Sequence, residues 1–321
     1  MPRYARNVAI MAKVETTAGV DAVPVAATDG LLITGKPDIT PLEIKYAERD
    51  LLLPYFGGSQ SLVAQVNAKM SFSVELAGSG TAGTAAAWSA LLRGCAAAQT
   101  VLATPARVEH TPMTDALTSI TIYVIDSGVQ HRMTGSMGNC KITAKKGETP
   151  KLMFEFIGSY QALTAVAVPA LNLGQWRPPH ALNAGNVVDI TLGCTYAAGV
   201  LSGGTKYGSN GLELDLGAKP VFFSTLSRES AEITDRQATC SFELELTAAQ
   251  EVAAATDVRS NVTTGLGFTI GSAAGSKIII FAPAVQRTAM KKVENDGVRM
   301  IGFDAKVIPV SGNDEWRLVQ L

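Results

Sequence analysis

The sequence predicts a mainly β chain of two similar β-rich units, each with one short α-helix, and three observations carry that expectation. Residues 70–76 (MSFSVEL) alternate apolar and polar side chains strictly, the period of a strand with one buried and one wet face. The alternation returns at 240–246 (CSFELEL), and NAKMSFSVEL (67–76) agrees with QATCSFELEL (237–246) at Ala, Ser, Phe, Glu and Leu. Further on, Thr143-Ala144-Lys145-Lys146-Gly147-Glu148 matches Thr288-Ala289-Met290-Lys291-Lys292-Val293-Glu294 with one residue inserted, which sets Phe156 opposite Phe303. Strand, helix, strands and lysine hairpin thus follow in the same order twice. The stretch after the first motif, 77–119 in one unit and 247–266 in the other, absorbs the change in spacing. The expected organisation is a first domain at 1–165, a linker at 166–186 and a second domain at 187–321.

Residues 1–30, rich in Ala, Val and Thr with Gly19, Pro24 and Gly30, read as an arm holding a short strand. Residues 31–34 are a brief apolar strand. Within 39–53, alternation at Leu42, Ile44 and Tyr46 runs into the charges Glu48, Arg49 and Asp50, and Pro54-Tyr55-Phe56-Gly57-Gly58 ends it. That pattern predicts a long hairpin or extended loop with an aromatic tip, followed by the strand at 62–76. After the glycine-rich 78–83, Thr84 can cap a helix over 84–98 on which Trp88, Leu91, Leu92 and Cys95 share one face. A loop with Pro105 and Pro112 leads to strands at 119–125 and 129–136, turned by Asp126-Ser127-Gly128. Strands at 139–145 and 151–160 flank a turn at 146–150. Trp176-Arg177-Pro178-Pro179-His180 marks the boundary, because paired prolines exclude helix and central strand. Strands resume at 187–196, 212–216 and 221–225, separated by a Gly/Ser-rich break at 199–211, and 229–246 leads into the second copy of the opening strand. A helix over 247–258 follows, with Ala248, Val252 and Ala255 on one face. Strands at 266–270, 277–282, 285–292 and 298–307 complete the set, and 311–321 is an exposed or docking tail.

Of the 321 residues, 47% are hydrophobic and 17% charged, enough for packed cores rather than disorder. Lys and Arg number 27 against 28 Asp and Glu, and neither half carries the basic excess of a protein that grips nucleic acid. Arg3, Arg6, Lys13 and Glu15 break up any signal-like run, and the apolar 162–173 is short and contains proline. The expectation is a soluble chain made in the cytosol. Cys95, Cys140, Cys194 and Cys240 are far apart with no CxxC, as structural thiols would be. His110, His131 and His180 lack metal-ligand spacing, and neither Gly78-Ser79-Gly80 nor Gly203-Gly204-Thr205-Lys206 has the spacing of a phosphate loop. No acid–base pair or activated nucleophile stands out, so no enzyme, cofactor or metal site is expected. The clusters Glu48-Arg49-Asp50 and Ser227-Arg228-Glu229-Ser230 read as solvated strand edges or as polar contacts that fix register between subunits. Like units in head-to-tail contact can close a ring, and three two-unit chains would fill six positions. Strand edges would be hidden between subunits.

Glu48-Arg49-Asp50, Pro54-Tyr55-Phe56-Gly57 and SFSVELAGSGTAGTAAAWSALLRGC (71–95) together resemble the tail tube (major tail) proteins of long-tailed, non-contractile bacteriophages. HRMTGSMGNCKITAKKGETPKLMFEFIGSY (131–160) is similar to that family's hairpin, while Ala86-Ala87 and Ala96 depart from its pattern. The resemblance is good over 40–160 and weaker from 187 on. It implies tandem tail-tube-like β-sandwich or barrel domains, each with a flanking helix, related to the ring protein of type VI secretion. It also implies stacked rings, trimeric and pseudo-hexameric here, forming a tube in the virion tail through which double-stranded DNA leaves without being held. Implied partners are further copies of the chain, the tape measure protein, the tail terminator and the distal tail protein, assembled in the host cytoplasm, with no membrane. On this reading the segments 39–60 and 220–235 and the two termini carry ring-to-ring contacts, with Glu48, Arg49, Asp50, Pro54, Tyr55, Phe56, Arg228 and Glu229 at their centre. A β-rich binding or adhesin-type module is the alternative, against which stands an aromatic content of 6%.

Overall fold

The computed structural model describes residues 4–321; Arg3 and the start of the expected arm lie outside the described residues. The first half runs β1 (Val8–Val14), β2 (Ile33–Ala47), β3 (Leu62–Glu75), the short helix α1 (Ser89–Arg93), β4 (Ala97–Ala103), β5 (Ala106–Pro112), β6 (Ile120–Asp126), β7 (Val129–Lys145) and β8 (Lys151–Ala165). The second half runs β9 (Val187–Ala197), β10 (Val200–Tyr207), β11 (Ser209–Asp215), β12 (Ala218–Ser224), β13 (Glu229–Arg236), β14 (Thr239–Leu244), α2 (Ala248–Arg259), β15 (Thr263–Ile270), β16 (Ile278–Asn295), β17 (Val298–Val307) and β18 (Arg317–Gln320). Sequence chemistry explains many of the joints. Ser127 and Gly128 both take positive φ, the two-residue turn whose twist suits the β6–β7 hairpin. Thr247 caps α2 in a capping box with Gln250.

All strands but β12 and β13 belong to one 16-stranded sheet. In the first half neighbouring strands run β3-β8-β7-β6-β1, and in the second β14-β17-β16-β15-β9. The halves join at two places. Strand β11 pairs β7 on one side and β14 on the other, and β18 pairs β16 and β5. Side chains in register across the first joint alternate by face. Val74, Leu152, Ile142, Leu214, Cys240, Ala305 and Arg287 form one row, all buried. The next row, Glu75, Lys151, Thr143, Glu213, Ser241, Asp304 and Ala289, lies on the opposite, wet face. The strict period-two pattern of β3 and β14 is therefore continued by every strand between them.

A single apolar cluster runs through both halves. Phe72 packs on Phe154 and Phe156 with ring centroids 6.0 Å away, and Phe242 packs on Phe303 at 5.6 Å. Such ring pairs contribute about 1 kcal/mol each beyond the area they bury. Trp88, Leu91, Leu92 and Cys95 are buried, and the Trp88 indole donates to the Ala77 carbonyl at 2.8 Å.

Several expectations change. Phe303 faces Phe242 as Phe154, not Phe156, faces Phe72. Lys145 ends β7 at the turn whereas Lys291 and Lys292 lie inside β16, so strand register sets Lys141 rather than Lys145 level with Lys291. The helix expected over 84–98 is only Ser89–Arg93: Ala96 takes φ 55 and β4 begins at Ala97. Its N-cap is Trp88, with no side-chain cap from Thr84. On α2 the buried residue is Ala254, and Val252 is 70% exposed. The proline loop at 99–112 is the β4–β5 hairpin, and the Gly/Ser-rich break holds β10. Both terminal strands join the chain's own sheet: Ala9–Ala12 of β1 and Leu318 and Val319 of β18 are buried, as is Trp316 just before β18, while Tyr4 is 70% exposed. Residues 166–186 form no strand or helix but are tied down, with the Trp176 indole donating to the Gly30 carbonyl at 2.9 Å.

Candidate functional site

Two hairpin arms leave the sheet. The first is the outer part of β2 and β3 with the tip at 48–61; the second is β12–β13 with the tip at 225–228. The first arm exposes Leu42, Tyr46, Leu51, Leu52, Leu53, Tyr55, Phe56, Leu62 and Val63. Clustered apolar exposure of this kind marks a contact surface. Glu48 accepts from the Ser61 hydroxyl at 2.7 Å across the hairpin, while Arg49, Asp50 and Pro54 stand in solvent. Nearer the sheet, Lys69 and Asn67 both donate to Glu43, and these hydrogen bonds hold the Glu43 carboxyl below its ordinary range.

The second arm is different. Its Phe222, Ala231 and Ile233 pack on Met137, Ile157 and Leu117 of the first half. Thr225 N–H donates to the Arg228 carbonyl at 2.8 Å to close the tip, which leaves Leu226 fully exposed. Arg228 pairs with Glu232, and Glu229 accepts from the Ser224 hydroxyl at 3.1 Å. The residues singled out in the sequence thus fall in three places: Glu48, Arg49, Asp50, Pro54, Tyr55 and Phe56 on one tip, Arg228 and Glu229 on another, and Trp88, Leu91, Leu92 and Cys95 in the core.

Sequence reading missed the wet face as a unit, because its residues come from strands scattered over the whole chain. There Lys141 and Lys145 both reach Glu213, at 2.9 and 2.7 Å, and Lys291 reaches Asp304 at 2.6 Å. Hydrogen bonds from Lys145 and then Lys141 hold the Glu213 carboxyl below its ordinary range. Lys141, Lys145 and Lys291 on this surface are therefore matched by neighbouring carboxylates.

Among the described residues no group of three or more His, Cys, Asp or Glu could hold a metal. All four cysteines are free and buried, and burial pushes the Cys240 thiol up to about 12. A largely buried ionic cluster, Glu109 with Arg107 at 2.6 Å, the Tyr196 hydroxyl at 2.6 Å and Arg317, ties β5 to β9 and β18. Burial raises the Glu109 pKa, but Tyr196, Arg107 and Arg317 outweigh it and leave the carboxyl below its ordinary value.

An unbroken sheet with one packed and one charge-paired face and two projecting arms defines a β protein with surfaces suited to meeting other proteins. A family model described as phage tail tube protein matches residues 5–314, and the chain belongs to that family. It is a non-enzymatic structural protein of the virion tail. No curated protein matches it in sequence.

Proposed function

We propose that the chain is the ring-forming subunit of a hollow tail tube, that its halves are duplicated units filling two adjacent positions, and that three chains close one ring. The observation that carries the reading is the repeated strand order, β3-β8-β7-β6-β1 and β14-β17-β16-β15-β9, with a shared wet face. A helix after the first strand of each set and an arm before it add support. The wet face lines the bore. Its paired charges suit passage of duplex DNA, since free lysines would exchange counterions with phosphates and hold the genome in place. The tips of the arms, with Phe56 and Leu226 fully exposed, reach the next ring. Tape measure, terminator and distal tail proteins meet the tube along its bore and at its ends.

Electron microscopy of the purified chain tests this. Stacked rings of three chains with sixfold pseudo-symmetry are expected. Six chains in one ring would overturn the claim that each half fills one position, and a monomer at every concentration would overturn the ring itself.

A further inference from the structure

Within one chain the second arm shows how such an arm is received. Strand β11 adds to the edge of β7 from Lys141 to Lys145, Glu213 sits opposite Thr143 and bridges Lys141, and the arm beyond it covers Met137 and Ile157. The first half carries the equivalent donor with nowhere to go. Level with Glu213 and Asp215, counted from the shared strands β14 and β3, are Asp38 and Thr40 of β2. Among the described residues β2 pairs only with β3, and Asp38 has no ion pair. The second half carries the equivalent acceptor, also open: among the described residues β16 from Ala289 to Asn295 pairs only with β17. Level with Lys141 and Thr143 there are Lys291 and Val293.

We propose that β2 of one chain adds to the open edge of β16 in a second copy, setting Asp38 opposite Val293 and beside Lys291 as Glu213 stands opposite Thr143 and beside Lys141. The inference rests on the ring reading above and names the edges that close it. Charge supports the register: an acid recurs on the donor strand and a lysine on the acceptor. The arm beyond then crosses the second copy at Gln286 and Lys306, the positions level with Met137 and Ile157. Tyr46 and Val63, exposed in the single chain, are the apolar side chains of the arm available to cover the stem of Lys306. The joint between chains is weaker than the joint within one. Pro37 and Pro41 cannot donate to the new ladder, whereas Leu216, level with Pro41, donates to Cys140 at 3.0 Å. The same prolines keep the lone edge from pairing indiscriminately before assembly.

Paired cysteines test the register. Asp38→Cys with Val293→Cys is expected to give disulfide-linked dimers and trimers when rings are oxidised, and each single variant to run as a monomer. A charge swap gives a second readout: Asp38→Lys or Lys291→Glu alone lowers ring yield about tenfold, and the two together restore it. Circular dichroism of each variant confirms folding. Wild-type rings whose double-cysteine form folds and assembles but yields no cross-link between chains, or only one within a chain, would overturn the register and leave the ring standing. A wild-type chain that forms no oligomer would overturn both.

Discussion

At the scale of the residue, the polar groups inside the protein are there for the fold. His110 is fully buried against the Trp88 ring, with centroids 5.4 Å apart. Burial pushes its pKa down from 6.5 to about 4, only partly offset by the Leu318 backbone. The unfolded chain therefore binds this proton more tightly than the folded one. The His110 contribution to stability is level above about pH 6.5, falls as pH drops from about 6.5 to about 4, and is then lower by about 3 kcal/mol. His110→Phe should flatten that part of the stability profile, measured by urea unfolding at a series of pH values. An equal slope in both proteins would show that another group supplies it. Glu109 matters in the same structural sense, since removing one member of a buried ionic cluster strands its partners.

At the scale of the element, much was legible. The alternating strands, the β6–β7 turn and a helix beginning near 247 all follow from local chemistry, which tertiary packing here reinforces, whereas the cap read at Thr84 is absent and the one found is at Thr247. What misled was composition. Proline and glycine concealed β4, β5 and β10, because a β4–β5 turn accepts Thr104-Pro105 and β10 is a mostly exposed strand with little apolar alternation. Helical spacing overextended α1, where Trp88, Leu91 and Leu92 need only one turn to reach the core. The lysine echo misled by register: two similar motifs sat at different heights on their hairpins. The first arm was visible as a charged strand with an aromatic tip, but its partner was not, since a contact between copies leaves no local pattern. Replacing 51–60 by a two-residue Asn-Gly turn should leave the melting temperature of the isolated chain within a few degrees and abolish stacking. A thermal scan and microscopy separate those effects, and long tubes from the shortened chain would remove the tip from the ring-to-ring contact.

At the scale of the whole molecule, the wet face makes the charge argument quantitative. Glu213 holds two lysines and Asp304 holds one. Glu213→Gln with Asp304→Asn frees all three without changing the side-chain shape. If that face lines the bore, open tubes of the variant should bind duplex DNA that wild-type tubes release. The logarithmic salt dependence should steepen by about 0.9 for each phosphate newly engaged. Indistinguishable salt titrations for the two tubes would place the face away from DNA.

The two joints within each chain, β11 between β7 and β14 and β18 between β16 and β5, leave no hinge between the halves. A sheet sewn along two separate seams resists both shear and opening, so each chain behaves as one stiff unit. In the proposed tube, bending would be confined to the looser fastenings between neighbours. Flexibility of the particle is then set by how few of those fastenings there are, and a shorter perimeter of weak joints makes for a pipe that curves without gaping.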